Sequence, residues 1–179
     1  MANPRIQWEK NESGKPAQII NYPEGTSETF AAFDLVVFDR SEDGVVALPN
    51  TGGVPTDQSV LGIALIKASG TQGTPIPVLI PTANDVFSCA VSNNSQTAFT
   101  APAGDDRGRL YGLIKMTDGN APFAVDINTT TWVKVIDVHP QDVANRGKDP
   151  MSTLADMTAR DRLTWKFQEA VLDNAGSIA

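Results

Sequence analysis

Arg162-Leu163-Thr164-Trp165-Lys166-Phe167 decides the fold. Leu163, Trp165 and Phe167 alternate with Thr164, Lys166 and Gln168, so a period of two places three large apolar groups on one side. That is the requirement of a half-buried antiparallel strand. Val86-Phe87-Ser88-Cys89-Ala90-Val91 repeats the pattern, with Phe87, Cys89 and Val91 on one face and Ser88 on the other. Thr131-Trp132-Val133-Lys134-Val135-Ile136-Asp137-Val138 and Leu110-Tyr111-Gly112-Leu113-Ile114-Lys115-Met116 are further strands, with a short one at Phe123 to Ile127.

Working outward, Leu35-Val36-Val37-Phe38 and Val45-Val46-Ala47-Leu48 flank the polar, Gly-ending Asp39 to Gly44, a hairpin signal. Gly62 to Lys67 and Val78-Leu79-Ile80 follow, the latter between Pro77 and Pro81. Proline cannot donate to a ladder, so those prolines suit strand ends. Pro49 to Ser59 and Asn93 to Arg109 read as loops. Between Pro140 and Asp161 the rhythm breaks: Asp149-Pro150 starts a short helix carrying Leu154 and Met157, or the segment is a loop excursion. Strands at regular spacing without a long helical period give an all-β fold, a small β-barrel or β-sandwich spanning residues 31 to 179.

Residues 1 to 30 differ. Asn3-Pro4, Ser13-Gly14-Lys15-Pro16 and Tyr22-Pro23-Glu24-Gly25 interrupt them with turns, and only Ala17 to Tyr22 is strand-like. Each proline drives its predecessor toward extended backbone. The region reads as an extended N-terminal arm, too polar and broken to form a core alone. Ile6, Trp8, Ile19, Ile20 and Tyr22 are its apolar anchors, expected to contact a partner. Laying them on another surface recovers the entropy of ordering the arm.

Composition bounds the function. The 179 residues carry 41% hydrophobic side chains, enough for one core, and their 14 Gly and 12 Pro favour short strands over long helices. Lys and Arg number 14 against 21 Asp and Glu, a formal charge of −7. An acidic surface repels phosphate backbones, so nucleic acid is not an expected partner. Met1-Ala2-Asn3-Pro4-Arg5 lacks the apolar region of a secretory signal, and no apolar run approaches the ~20 residues that cross a bilayer. The expectation is a chain made in a cytoplasm with no membrane anchor.

No reactive constellation emerges. Cys89 is the single cysteine, so no internal disulfide forms, and within its strand it reads as a small buried hydrophobe. His139, the single histidine, reads as a turn residue, and one His with one Cys is a poor basis for zinc. Asp105-Asp106-Arg107-Gly108 reads as a turn, its carboxylates accepting local backbone hydrogen bonds. Thr51-Gly52-Gly53 and Gly70 to Thr74 lack the Lys and helix start of a phosphate loop. Of Trp8, Trp132 and Trp165, the last two sit in strong strand patterns, which favours core roles over sugar stacking. The expectation is a protein with no cofactor, no metal and no enzymatic activity.

One stretch supplies more. Val60-Leu61-Gly62-Ile63-Ala64-Leu65, then Ser69-Gly70-Thr71-Gln72-Gly73-Thr74-Pro75-Ile76-Pro77-Val78-Leu79-Ile80-Pro81, then Asp85-Val86-Phe87 resembles small structural proteins of tailed bacteriophages. Arg109-Leu110-Tyr111-Gly112-Leu113 and Arg162 to Phe167 fit the later part of the same rhythm, so the likeness covers about residues 33 to 138 and the last strand. The chain is similar to the capsid decoration, or cement, proteins, which bind the outside of an icosahedral shell and staple neighbouring capsomers. That resemblance implies the major capsid protein as partner, a homotrimer, and a place on the outer capsid surface of the virion after assembly in the host cytoplasm. The rival readings are another virion part (tail or head-completion) and a carbohydrate-binding β-sandwich module.

Overall fold

The computed structural model describes residues 5–51, 53–55, 60–101, 106–117, 123–129, 132–138, 162–169 and 172. The protein is all-β, and no α-helix occurs among the described residues. The first eight strands are β1 (Gln7–Asn11), β2 (Gln18–Pro23), β3 (Leu35–Asp39), β4 (Gly44–Ala47), β5 (Asn50–Thr51), β6 (Val54–Pro55), β7 (Gly62–Ala64) and β8 (Pro75–Ile80). The remainder are β9 (Asp85–Ser92), β10 (Leu110–Lys115), β11 (Phe123–Asp126), β12 (Val133–Val138) and β13 (Arg162–Phe167).

The last five strands close a barrel. β9 pairs with β11, β11 with β10, β10 with β12, β12 with β13, and β13 returns to β9. Only β9 with β11 is parallel. Phe87, Trp165 and Phe167, read from the sequence as one-sided, meet inside it. Phe87 stacks on Trp165 at 5.2 Å between centroids, and Phe167 sits edge-on to both at 5.6 and 5.1 Å. Offset and edge-to-face rings favour each other beyond the area they bury.

The second sheet runs β2-β8-β7-β3-β4, every pair antiparallel. It curls until its outer members touch: Glu24 bridges Val45, and Gly25 N–H donates to Val45 O at 2.9 Å. Both faces are apolar. Leu35, Val37, Ile63 and Leu79 join the cluster that fills the barrel, while Phe30, Val36, Val45, Leu61, Ala64, Ile76 and Val78 form a separate core. Close approach here needs glycine: a Cβ on Gly62 would lie 2.3 Å from the Leu79 carbonyl oxygen. The strand expected over Gly62 to Lys67 stops at Ala64: Leu65 N–H still reaches Pro77 O in the β7–β8 register, but Pro77 has no N–H to return, and Ala68 N–H then bonds Phe30 O.

Residues 5–30, read from the sequence as an extended arm, run along both sheets. β1 lies along the first half of β9, with Trp8 opposite Phe87, and β2 lies along all of β8. The segment lacks a core of its own, yet it completes an edge of each sheet and buries Ile6, Glu24 and Phe30 to 2% exposure or less. Backbone pairing and shared burial supply what its composition cannot. The excursion expected over residues 140–161 lies outside the described residues. Part of the loop at 93–109 folds back on the barrel, where Thr100 bridges Val91 and Phe99 packs against Ile114, Met116 and Ala124.

Candidate interaction surfaces

Ile6 is buried in the main core. Trp8 is half-buried and donates its indole N–H to Asp85 Oδ1 at 2.8 Å. Ile20 and Tyr22 are half-buried, with Tyr22 packed on the second core and its ring 5.9 Å from that of Phe38. Ile19, in register with Leu79, points the other way and is 55% exposed. Of the five expected anchors, the structure leaves Ile19 as the one largely open to a partner. Strand parity explains the division, since neighbours on β2 face opposite sides.

Between β1 and the second sheet runs a groove of about 370 Å³, with Trp8 and Arg5 on one wall and Phe33, Ile63, Leu65 and Leu79 opposite. The Arg5 guanidinium carbon stands 5.3 Å from the centre of the Phe33 ring. Phe33 has φ +70°, a left-handed conformation that costs energy for a bulky side chain. The turn around it imposes this: Asp34 N–H donates to Ala31 O at 3.2 Å and Ala31 N–H to Asp34 Oδ2 at 2.9 Å.

Buried carboxylates fasten the surroundings. Asp85 accepts from Trp8, from Asn11 Nδ2 at 2.9 Å, and from Thr82 N–H and Oγ, both at 2.7 Å. Burial alone raises its carboxyl pKa, but these donors outweigh burial and hold it below the ordinary value. Glu24, fully buried, receives Ser69 N–H and Oγ–H at 2.9 and 2.7 Å and Gly70 N–H at 2.6 Å. Here too burial pushes upward and the donors of the Ser69 to Thr71 loop prevail, so the net shift is downward. Asp34 goes the opposite way: burial dominates and raises it, although Lys115 Nζ approaches Oδ2 at 3.1 Å. Its Oδ1 has no hydrogen-bond partner. The pair joins the turn before β3 to the end of β10, tying the second sheet to the barrel.

The residues weighed for chemistry fall into structural surroundings. Cys89 is fully buried, accepts the Trp165 indole N–H at 3.2 Å, and has its thiol pushed up to about 12, chiefly by burial. A thiol that does not ionise is a poor nucleophile. Asp106 is buried and accepts a hydrogen bond from the Tyr111 hydroxyl. Burial and that carboxylate push Tyr111 up to about 12. Trp132 and Trp165 are buried, as their strand patterns required. His139, Asp105 and Gly52 lie outside the described residues. Among the described residues no group of three or more His, Cys, Asp and Glu is placed to hold a metal, and no helix is long and apolar enough to cross a membrane.

Two features escaped the sequence reading. β1 carries a period-two signal, Ile6 and Trp8 against Gln7 and Glu9, that its flanking turns obscured. The outer face of the barrel collects exposed Leu110, Lys134 and Ile136, which only the strand register brings together. Comparison of the chain with protein-family models, with curated proteins and with solved structures finds no match.

Proposed function

We propose that this chain is a structural virion protein that binds the outer surface of a phage capsid and staples neighbouring capsomers. The reading rests on the resemblance described above, which covers about residues 33 to 138 and the last strand and is carried by the stretch at 60–87 together with 109–113 and 162–167. The side of β2 away from β8 gives the shell protein a strand edge to pair with along residues 18–22, and Ile19 gives it an apolar contact. A net charge of −7 suits an outer surface better than one facing packaged DNA.

On this reading the chain works through surfaces. It performs no catalysis, takes no cofactor, and binds neither nucleic acid nor membrane. It self-associates, most simply as a homotrimer, and several weak contacts acting together give tight attachment. A carbohydrate-binding module would want free aromatic platforms, whereas Trp132 and Trp165 are buried and the Trp8 indole N–H is committed to Asp85.

The deciding experiment is co-sedimentation of the purified protein with undecorated phage capsids. Saturable binding that Ile19→Lys weakens supports the reading. Protein that stays in the supernatant at every capsid concentration overturns it.

A further inference from the structure

The outer face of the barrel holds an arrangement that costs stability. Leu110 of β10 lies opposite Lys134 of β12, and Lys134 lies opposite Lys166 of β13, a row across three strands. Like charges directly opposite one another destabilise a sheet. Leu110 is 43% exposed, and Ile136, two residues along β12 from Lys134, is 37% exposed. Arg107 and Arg109, just before β10, are exposed as well. Cations and open apolar side chains thus gather on one face of a chain whose net charge is −7. Arg107 pairs with Asp137 at 2.6 Å and Lys166 with Glu12, but Lys134, at the centre, has no ion-pair partner among the described residues.

The same chain carries the complementary surface. The turn between β3 and β4 presents Asp39, Glu42 and Asp43, with Arg40 as the one cation among them, and Glu28 stands beside β4 with its Oε2 on Ala47 N–H. This acidic tip belongs to the second sheet and the cationic row to the barrel. No ion pair joins the two surfaces within the chain among the described residues.

We propose that the Leu110–Lys134–Lys166 row is the surface on which a second copy of this chain seats its acidic β3–β4 turn. The idea rests on the self-association in the proposed function and names the faces that carry it. Because the two faces differ, the contact is head-to-tail, the kind that closes into rings. Leu110 and Ile136 supply the apolar centre and the cations around them set orientation, the usual division of labour at an interface.

Sedimentation velocity on the full chain tests this, run at about 0.02 M and about 0.5 M salt, where screening differs strongly. The wild type should associate at low salt and dissociate at high salt. Lys134→Glu should weaken association about tenfold or more. Its melting temperature should hold or rise, because it places opposite charges across from Lys166. Asp43→Lys alone should weaken association similarly, and the double variant should recover most of it. A wild type that stays monomeric at all concentrations, or association indifferent to Lys134→Glu, overturns the proposal. A mobility shift with duplex DNA runs in parallel. Retention lost in Lys134→Glu with self-association unchanged assigns the face to a polyanion, which also overturns the proposal. Capsid co-sedimentation reads shell binding separately. Capsids left undecorated by a chain that self-associates as described would overturn the shell reading and leave this one standing.

Discussion

The barrel and the second sheet solve closure differently. The barrel is a complete ring of strand pairs around large aromatic side chains, Phe87, Phe123, Trp165 and Phe167 among them. The second sheet is sealed at its seam by one bridge, and its own core sets Phe30, Leu61 and Ile76 among the smaller Val36, Val45, Ala64 and Val78. Carboxylates fasten both regions: Asp85 at the start of β9 gathers Trp8, Asn11 and Thr82, while Glu24 gathers the Ser69 to Thr71 loop and Asp34 accepts from Lys115. Charged acceptors with several donors add local order to both. The barrel offers an aromatic trio to break, and the second sheet a close glycine contact and two carboxyls shifted in opposite directions.

The largest effect belongs to the barrel. Phe167→Ala removes a ring at 3% exposure from the aromatic trio and should cost roughly 3–5 kcal/mol in urea unfolding. A cost under about 0.5 kcal/mol would mean the trio does not support the barrel. In the second sheet, Gly62→Ala forces a methyl against the Leu79 carbonyl oxygen and should cost about 1–3 kcal/mol. Unchanged stability there would show that β7 and β8 separate freely, against the close approach at Gly62.

Charge sharpens the contrast. The native Glu24 carboxyl titrates below its ordinary value of 4.5, so its stabilisation is complete above that pH and is lost as pH falls through the native value. Glu24→Gln turns one acceptor into a donor facing the Ser69 and Gly70 N–H groups. It should cost roughly 1–3 kcal/mol at neutral pH, and the gap to wild type should narrow on acidification. Asp34 has the opposite sign. Its native carboxyl titrates above the ordinary 3.8, so its contribution is complete below that pH and fades as pH rises through the elevated value. Thermal melts from pH 3 to 7 should show the wild type losing ground to Asp34→Asn with rising pH. Parallel curves would refute the sign. The smallest effect is expected at Ile19→Ser, within about 0.5 kcal/mol, because this side chain is already mostly in water.

Alternation made the barrel legible. Phe87, Cys89 and Val91, and Leu163, Trp165 and Phe167, announced one buried face each, and all six are in the core. β1 was hidden for a physical reason: as an edge strand on β9 it buries little apolar surface beyond Ile6 and half of Trp8, so Glu9 and Lys10 mask its period. Glu24 shows no sequence signal, because its partners lie about 45 residues away in a loop. Its hydrogen bonds exist only once β2 and β8 have paired. The cationic row is invisible for the same reason, since Leu110, Lys134 and Lys166 are neighbours by register and not by sequence.

β9 has a consequence for the order of events as the chain leaves the ribosome. Its residue Ser88 is flanked by Gln7 on one side and Thr164 on the other, so its two neighbours lie 81 and 76 positions away in opposite directions. The second sheet, by contrast, is contained within residues 18–80 and can pair as soon as those residues emerge. The barrel must wait for β13, and until then one edge of β9, with its apolar face, stays unpaired. Non-local pairing of this kind is slow and exposed to aggregation. A nascent chain stalled before residue 162 should therefore hold a formed second sheet beside an open barrel, and pulse proteolysis should cut the latter first.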